Sequence, residues 1–231
     1  MNRLTTIGFD ADDTLWHNET FFHLTQERFA DLLRDHADTD HLMERLLEAE
    51  RRNLGHYGFG IKGFVLSMIE TAIEVTDGRV PAATIGRLLE EGREMLRHPV
   101  DLLPGVEETV RRLAETHTLV MITKGDLLDQ ERKLAESGLG DLFDGVEIVS
   151  DKTAQTYVRA FETHGDGPAR ALMVGNSMKS DVLPALAAGA WGVFVPSELE
   201  WALERAEAPV QDSRYHRITR LDELPDLIAT L

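Results

Sequence analysis

Cysteine is absent from the 231-residue chain, which excludes a disulfide framework and any thiol nucleophile. Long apolar runs are absent too. No stretch approaches the roughly 20 residues of a membrane-spanning helix, and the apolar part of the opening "MNRLTTIGFD" is too short for a secretory signal. A cytoplasmic location is therefore expected. Positive charge is scarce: 24 Lys and Arg stand against 41 Asp and Glu, a net charge of −17. Long-range attraction to nucleic acid or to an anionic membrane is disfavoured. A small anionic substrate stays compatible, because a metal or a local Lys reverses the sign inside a pocket. The nine His are scattered without H-x-x-x-H or H-E-x-x-H spacing, so zinc chemistry has no support. "NET" at 18–20 fits the glycosylation pattern, but without a secretory signal it carries no weight.

Neither repeats nor a low-complexity linker divide the chain, yet its pattern changes near residue 100. From about 18 to 98 the spacing is helical. "TFFHLTQERFADLLRDH", "DHLMERLLEAERRNL", "GFVLSMIETAIEV" and "PAATIGRLLEEGREML" each carry apolar residues at helical intervals. Pro81 suits a first helical turn. Beyond "HPVDLLPG" helices and short apolar strands alternate. Helices over about 106–115, 127–137, 154–162 and 182–188 lead to "TLVMIT" (118–123), "VEIVS", "ALMVG" (171–175) and "WGVFV". Gly189 is placed to end the fourth of these helices. "YHRIT" and "DELPDLIATL" add a last strand and helix. Continuous apolar strands alternating with helices imply a parallel sheet covered on both faces. The expectation is an α/β fold with a doubly wound, mostly parallel, Rossmann-like sheet. Its first strand, 4–9, is separated from the others by an all-helical insert.

Ligands of such sheets bind beyond the carboxyl ends of the strands. Asp10 and Asp12 follow the first strand there. Thr123, Lys124 and Gly125 follow the second. Asp151 and Lys152 follow the third. Gly175, Asn176 and Ser177 follow the fourth, with Asp181 five positions beyond Asn176. Each has an ordinary reading as a turn, cap or solvated residue. Together, at one edge, they suit phosphoryl transfer. A cation held by hard oxygens removes the repulsion between a carboxylate and a phosphoester. A Lys and a hydroxyl hold the phosphoryl oxygens. One carboxylate serves as nucleophile and another as general acid, then base.

"DADDTLW", "VMITKG", "SDKTAQTY" and "VGNSMKSD" resemble, in order, the four motifs of the haloacid dehalogenase-like (HAD) hydrolases. The helical insert resembles that family's C1 cap, giving a core of 1–16 and 99–231 and a cap of 17–98. The resemblance implies that Asp10 is the nucleophile and forms an aspartyl-phosphate. It implies that Asp12 protonates the leaving oxygen and later activates water, while its main-chain carbonyl binds Mg²⁺. It makes Thr123 and Lys152 the phosphate clamp, with the Lys124 and Gly125 amides beside it. Thr14 matches the family's first-motif Thr and is grouped with the substrate contacts. The implied metal set is Asp10, Asp12, Asn176 and Asp181. The implied reaction is Mg²⁺-dependent hydrolysis of a small phosphorylated metabolite. Asp13 stands where the family usually has Gly. It receives no catalytic role and is expected in solvent. Asn176 stands where phosphatases of this type commonly have Asp. Its amide oxygen can ligate Mg²⁺ but brings no charge, so weaker Mg²⁺ binding is expected.

Three other readings compete. The 2-haloacid dehalogenases of the same superfamily resemble the chain in cap and nucleophile and also carry Asn in the fourth motif. They use no metal and usually lack the second acidic residue of the first motif, which Asp12 supplies here. A HAD fold that has lost catalysis and serves as a binding protein is another. A phosphorelay receiver domain is the third, but such domains are about half this length and need a phosphoacceptor on a middle strand. "GFGIKG" (58–63) matches G-x-G-x-x-G, but a charged helical stretch precedes it instead of an apolar strand. It reads as a loop between cap helices, from which Tyr57 and Lys62 are candidate contacts to the leaving group. Trp16 is assigned to the core or an interface in preference to a cap hinge, and Trp191 to packing. "ELEWALERAEA" (198–208) reads as a surface amphipathic helix and a candidate oligomer contact.

Overall fold

The computed structural model describes residues 3–231. The chain forms two compact units. One comprises the chain up to Glu19, Val100–Lys124 and Gln130–Leu231; the other comprises Thr20–Pro99 and Gly125–Asp129.

The second unit is helical. Its four main helices are α1 (Glu19–Leu33), α2 (Thr39–Tyr57), α3 (Ile61–Val75) and α4 (Ala82–Arg97). Asp38 starts α2 by accepting the His41 amide at 3.0 Å, which satisfies one of the donors a helix start leaves open. Pro81 lies just before α4, at its N-cap, and not within the first turn, a one-residue shift of the sort helix ends show. Phe29, Leu33, Leu42, Leu46, Phe64, Met68 and Leu88 form the unit's core. Only Gly58–Gly60 are non-helical in the segment read as a loop at 58–63. Lys62 therefore sits in the first turn of α3, where it pairs with Asp126 at 2.8 Å.

The first unit holds a sheet of six described strands: β1 (Thr6–Phe9), β2 (Thr118–Lys124), β3 (Gly145–Val149), β4 (Ala171–Gly175), β5 (Trp191–Phe194) and β6 (Tyr215–Arg217). Their order is β3-β2-β1-β4-β5-β6, and every pairing is parallel. The Rossmann-like α/β fold read from the sequence is thus the one observed. Helices α5 (Val106–Ala114), α6 (Leu127–Ser137), α7 (Ala154–His164), α8 (Leu183–Ala187) and α9 (Leu224–Ile228) connect or follow the strands. Side chains alternate across a strand, so both faces carry a core. Ile7, Phe9, Leu119, Met121, Leu172 and Val174 bury on one face. Val120, Ile122, Ala171 and Met173 bury with Tyr157 and Phe161 on the other.

Register decides what lies at the sheet's carboxyl edge. Phe9 is level with Met121 on one side and Val174 on the other, so Asp10 emerges between the ends of β2 and β4. Its amide continues the ladder to the Val174 carbonyl at 2.9 Å. β1 is therefore where the strand order reverses, the usual position of a ligand crevice.

Two expected helices differ. The segment read as 182–188 begins as a π-helical turn, Met178–Val182, and only then becomes α8. The segment 198–208 is not an amphipathic helix. Within it only a 3₁₀ turn forms, Ala202–Glu204. The Leu203 carbonyl accepts from Lys179 Nζ at 2.8 Å and the Glu204 carbonyl from Ser177 Oγ at 3.4 Å. Side chains thus take carbonyls that a continuing helix would give to its own amides. Among the described residues no helix is long and apolar enough to cross a membrane.

Candidate active site

Asp10 leaves β1 buried, and both of its oxygens are engaged. Oδ1 accepts a short contact from Lys152 Nζ, and Oδ2 accepts from Thr14 Oγ1 at 3.0 Å. The same Thr14 oxygen accepts the Asn176 amide at 3.1 Å. Thr14 is buried, and its hydroxyl is given to Asp10. It ties the nucleophile position to the end of β4.

Lys152 follows β3 and lies between two carboxylates. Its ammonium donates to Asp181 Oδ1 at 2.7 Å as well as to Asp10. The side chains of Lys152 and Asp181 are each 1% exposed. Burial works against the Lys152 charge, but the two carboxylates outweigh it and hold its pKa above the usual value. Burial, with the nearby Asp181 charge, pushes Asp10 up to about 7 against the pull of Lys152. Burial is the larger cause of that rise, and the second carboxylate on the same ammonium adds to it.

Local structure aims Asp181 at Lys152. Ser177 accepts the Ser180 amide on its hydroxyl at 2.9 Å, starting the π turn. The Asp181 and Val182 amides both reach the Ser177 carbonyl, so the turn is wider than an α turn. Asp181 Oδ2 then bonds back to the Ser177 amide at 2.8 Å. Gly175 makes room: a Cβ there would lie 2.2 Å from Asp181 Oδ2.

Asp12 is arranged differently. Its carboxylate points to a separate set of donors. Oδ1 accepts from Trp16 Nε1 at 2.7 Å and Lys133 Nζ at 2.9 Å; Oδ2 accepts from Gln130 Nε2 at 2.8 Å. Thr123 is buried at the end of β2, and its hydroxyl reaches the Lys124 carbonyl at 3.3 Å. The structure therefore bonds Asp10, Thr14, Lys152, Asn176 and Asp181 into one cluster, without the Asp12 carboxylate or the Thr123 hydroxyl. The Lys124 ammonium is committed to Ser180 Oγ and Glu204 Oε1, both at 2.7 Å. Gly125 has φ 137°, a conformation that favours glycine. Tyr57 and Lys62 belong to the helical unit, where Tyr57 is exposed at the end of α2.

Asp13 is not solvated as expected. Its φ of 58° is the left-handed conformation, which accounts for a glycine preference at this position. Its carboxylate accepts the amides of Asn18 and Glu19 at 3.0 Å each, closing the start of α1. Burial pushes its carboxyl up to about 7 against those amides.

Sequence reasoning missed Glu204, Ser180, Gln130, Lys133 and the hydrogen-bonding role of Trp16. Gln130 and Lys133, three apart, are buried polar residues on α6. Polar residues on a helix's inward face are a signal the sequence did offer.

The donor set for a cation is mostly neutral. Among the described residues no three His, Cys, Asp or Glu side chains are grouped to hold a metal. The Asn176 amide, however, lies against Asp10 Oδ2 and the Asp12 main-chain carbonyl with its oxygen turned to acceptors. With the amide reversed, its nitrogen would donate to them at 3.0 and 3.2 Å. Oxygens on adjacent corners of a Mg²⁺ octahedron of ~2.1 Å radius are about 3.0 Å apart. A carboxylate, a carbonyl and an amide oxygen at this spacing fit a hard divalent cation. Both oxygens of Asp181 are already used by Lys152 and Ser177.

Residues 4–189 match the family model described as haloacid dehalogenase-like hydrolase. Among solved structures, a haloacid dehalogenase-like family hydrolase from Xanthomonas campestris is 40% identical, with a TM-score of 0.87 over 98% of this chain and 91% of that one. YfnB from Bacillus subtilis, described as a HAD-hydrolase bound to magnesium, is 16% identical, with a TM-score of 0.70 over 98% and 99% of the two chains. The L-2-haloacid dehalogenase from Xanthobacter autotrophicus with covalently bound chloropropionic acid is 18% identical, with a TM-score of 0.66 over 99% of each. The latter two speak for the fold alone. Comparison with curated proteins gives no match.

Proposed function

This chain belongs to the haloacid dehalogenase-like hydrolases, and from that premise we propose that it is a Mg²⁺-dependent phosphomonoesterase of a small, hydrophilic metabolite. The observation that carries the reading is the environment of Asp10. It stands at the strand-order reversal with Lys152 on one oxygen and Thr14 on the other.

In this reading an Asp10 carboxylate oxygen attacks phosphorus. A bond forms between that oxygen and phosphorus, and the bond from phosphorus to the alcohol oxygen breaks. Asp12 gives the departing oxygen its proton. Water then attacks the aspartyl-phosphate and loses a proton to Asp12, releasing phosphate and restoring Asp10. The Lys152 ammonium, 1% exposed, stands where Asp10's charge and that of the phosphoryl group must be balanced. Asp181 acts through Lys152. Asp10, the Asp12 carbonyl and Asn176 would hold Mg²⁺, which when bound neutralises phosphoryl charge. Thr123, with the Lys124 and Gly125 amides, is assigned to the phosphoryl oxygens. Substrate choice is assigned to the helical unit as a cap, and within it to Tyr57 and Lys62.

Asp12 favours this activity over its relative. An alcohol needs a proton to leave, whereas a halide needs none. The second reading, a metal-independent 2-haloacid dehalogenase, draws on Asn176. With its amide reversed, Asn176 satisfies Asp10 and the Asp12 carbonyl without a cation. A panel of phosphate esters, assayed with and without Mg²⁺ beside chloride release from a 2-chloro acid, separates the two. Ester hydrolysis that requires Mg²⁺ and disappears in Asp10→Asn is expected. Chloride release without metal, or hydrolysis that survives Asp10→Asn, would overturn the proposal.

A further inference from the structure

The Asp12 carboxylate is held by Trp16, the last residue of the first motif, and by two residues outside the four motifs. Trp16 comes from the turn after β1, and Gln130 and Lys133 from α6. All three are buried, so their polar atoms must find partners inside the protein. Trp16 Nε1 and Lys133 Nζ converge on Oδ1, and Gln130 Nε2 reaches Oδ2. Lys133 is itself oriented, since its ammonium also donates to Asn18 Oδ1 at 2.8 Å. A carboxylate oxygen has about two lone-pair sites. Oδ1 is therefore filled by two donors, whereas Oδ2 keeps one site open.

We propose that Lys133, Gln130 and Trp16 are positioning residues for proton transfer by Asp12, fixing Oδ1 as the anchored end and Oδ2 as the atom that handles the proton. The proposal rests on the assignment of Asp12 as acid and base in the preceding section. Trp16 and Lys133 can only donate, which suits an oxygen that never carries the proton. Gln130 differs, because its amide also bears an acceptor. That acceptor, Oε1, is buried and has no hydrogen-bond partner. Turning the amide exchanges the bond Nε2 donates to Oδ2 for one that Oε1 accepts, so Gln130 can stay bonded to Oδ2 in the resting acid as well as in the carboxylate, the proton passing to the leaving oxygen only when substrate is present. An orphaned buried acceptor beside a group that gains and loses a proton is thereby explained. An apolar residue at 130 or 133 would leave a partly buried carboxylate oxygen short of a donor and free to change rotamer.

The test compares two phosphate esters at saturating Mg²⁺, one with an alkyl alcohol and one with p-nitrophenol as leaving group. Only the alkyl alcohol needs a proton to depart. Positioned general acids contribute roughly 10²–10⁴-fold. The comparison is made in kcat/KM, which covers the steps up to departure of the alcohol and not the hydrolysis of the aspartyl-phosphate that both esters share. Asp12→Asn is expected to lose about 10²-fold or more on the alkyl ester and far less on the aryl ester. Lys133→Met and Gln130→Met are expected to follow the same pattern, each losing about 10-fold or more on the alkyl ester and less than about threefold on the aryl ester. Lys133→Arg, which keeps a charged donor, should recover most of the alkyl activity. Equal losses on both esters in Lys133→Met, with no rescue by Arg, would mean a structural role and would overturn the proposal, as would unchanged ratios. If Asp12→Asn itself shows no difference between the esters, the assignment of Asp12 fails, and the positioning proposal with it.

Discussion

Replacing Lys152 with Met should expose how much of the site's order depends on one ammonium. Met is nearly the same length and packs well, so the change isolates the charge. Lys152 and Asp181 are each 1% exposed and Asp10 10%. Removing one partner of a buried ion pair costs about 3–5 kcal/mol, because the other partner is left buried and charged. Two partners are left here, so the upper part of that range is expected in metal-free protein. That is about a third or more of a typical folding stability of roughly 5–15 kcal/mol. The deficit should also depend on pH. Asp10 already sits near 7 in the wild type, and without Lys152 it must rise further. A carboxyl with a raised folded pKa holds its proton where the unfolded chain has released it. The folded state therefore binds more protons between about 4 and the folded pKa, and stability falls as pH rises through that window. Urea unfolding with EDTA should show the deficit of Lys152→Met largest near pH 8 and smaller near pH 5.5. Adding Asp181→Asn should return about 1.5–3 kcal/mol of it, as expected for groups in direct contact. A deficit under about 1 kcal/mol, flat with pH and additive with Asp181→Asn, would refute the reasoning.

Two further substitutions follow from the same geometry. Asn176→Asp places a charge beside Asp10 Oδ2 and the Asp12 carbonyl, so the Mg²⁺ activation constant should fall, by about 10-fold for each 1.4 kcal/mol gained; an unchanged or larger constant contradicts the assigned ligand set. Asp13→Ala loses the cap on α1 and keeps the left-handed backbone, a loss of about 1–2 kcal/mol by thermal unfolding, whereas Asp13→Gly relieves the backbone and should lose less. Equal losses in the two variants would dissociate stability from the φ of 58°.

The sheet was legible because its strands are short, continuous and apolar, and no other element explains "TLVMIT" or "ALMVG" as simply. Asp10, Lys152, Asn176 and Asp181 were legible because topology brings the residues after consecutive strands to one edge. Register then did what spacing alone could not, setting Asp10 between β2 and β4. What escaped the sequence depends on partners distant along the chain. Glu204 reads as a helix residue, but Lys124 and Ser177 hold its carboxylate and side chains from 177–179 occupy the carbonyls around it. Tertiary bonds overrode a short helical pattern. Asp13 reads as a solvated acid because a positive φ leaves no trace in a list of residue types. Asp12 shows the same limit: its presence was legible, but the direction of its carboxylate depends on α6, more than a hundred residues away.

The central claim concerns one covalent bond, and that bond can be observed. Protein turning over a ³²P-labelled phosphate ester in Mg²⁺ should be quenched in acid, digested and mapped. The account predicts label on the peptide containing Asp10, released by hydroxylamine as an acyl phosphate should be, and lost in Asp10→Asn. Turnover with no trapped label, or label on any other side chain, would contradict it.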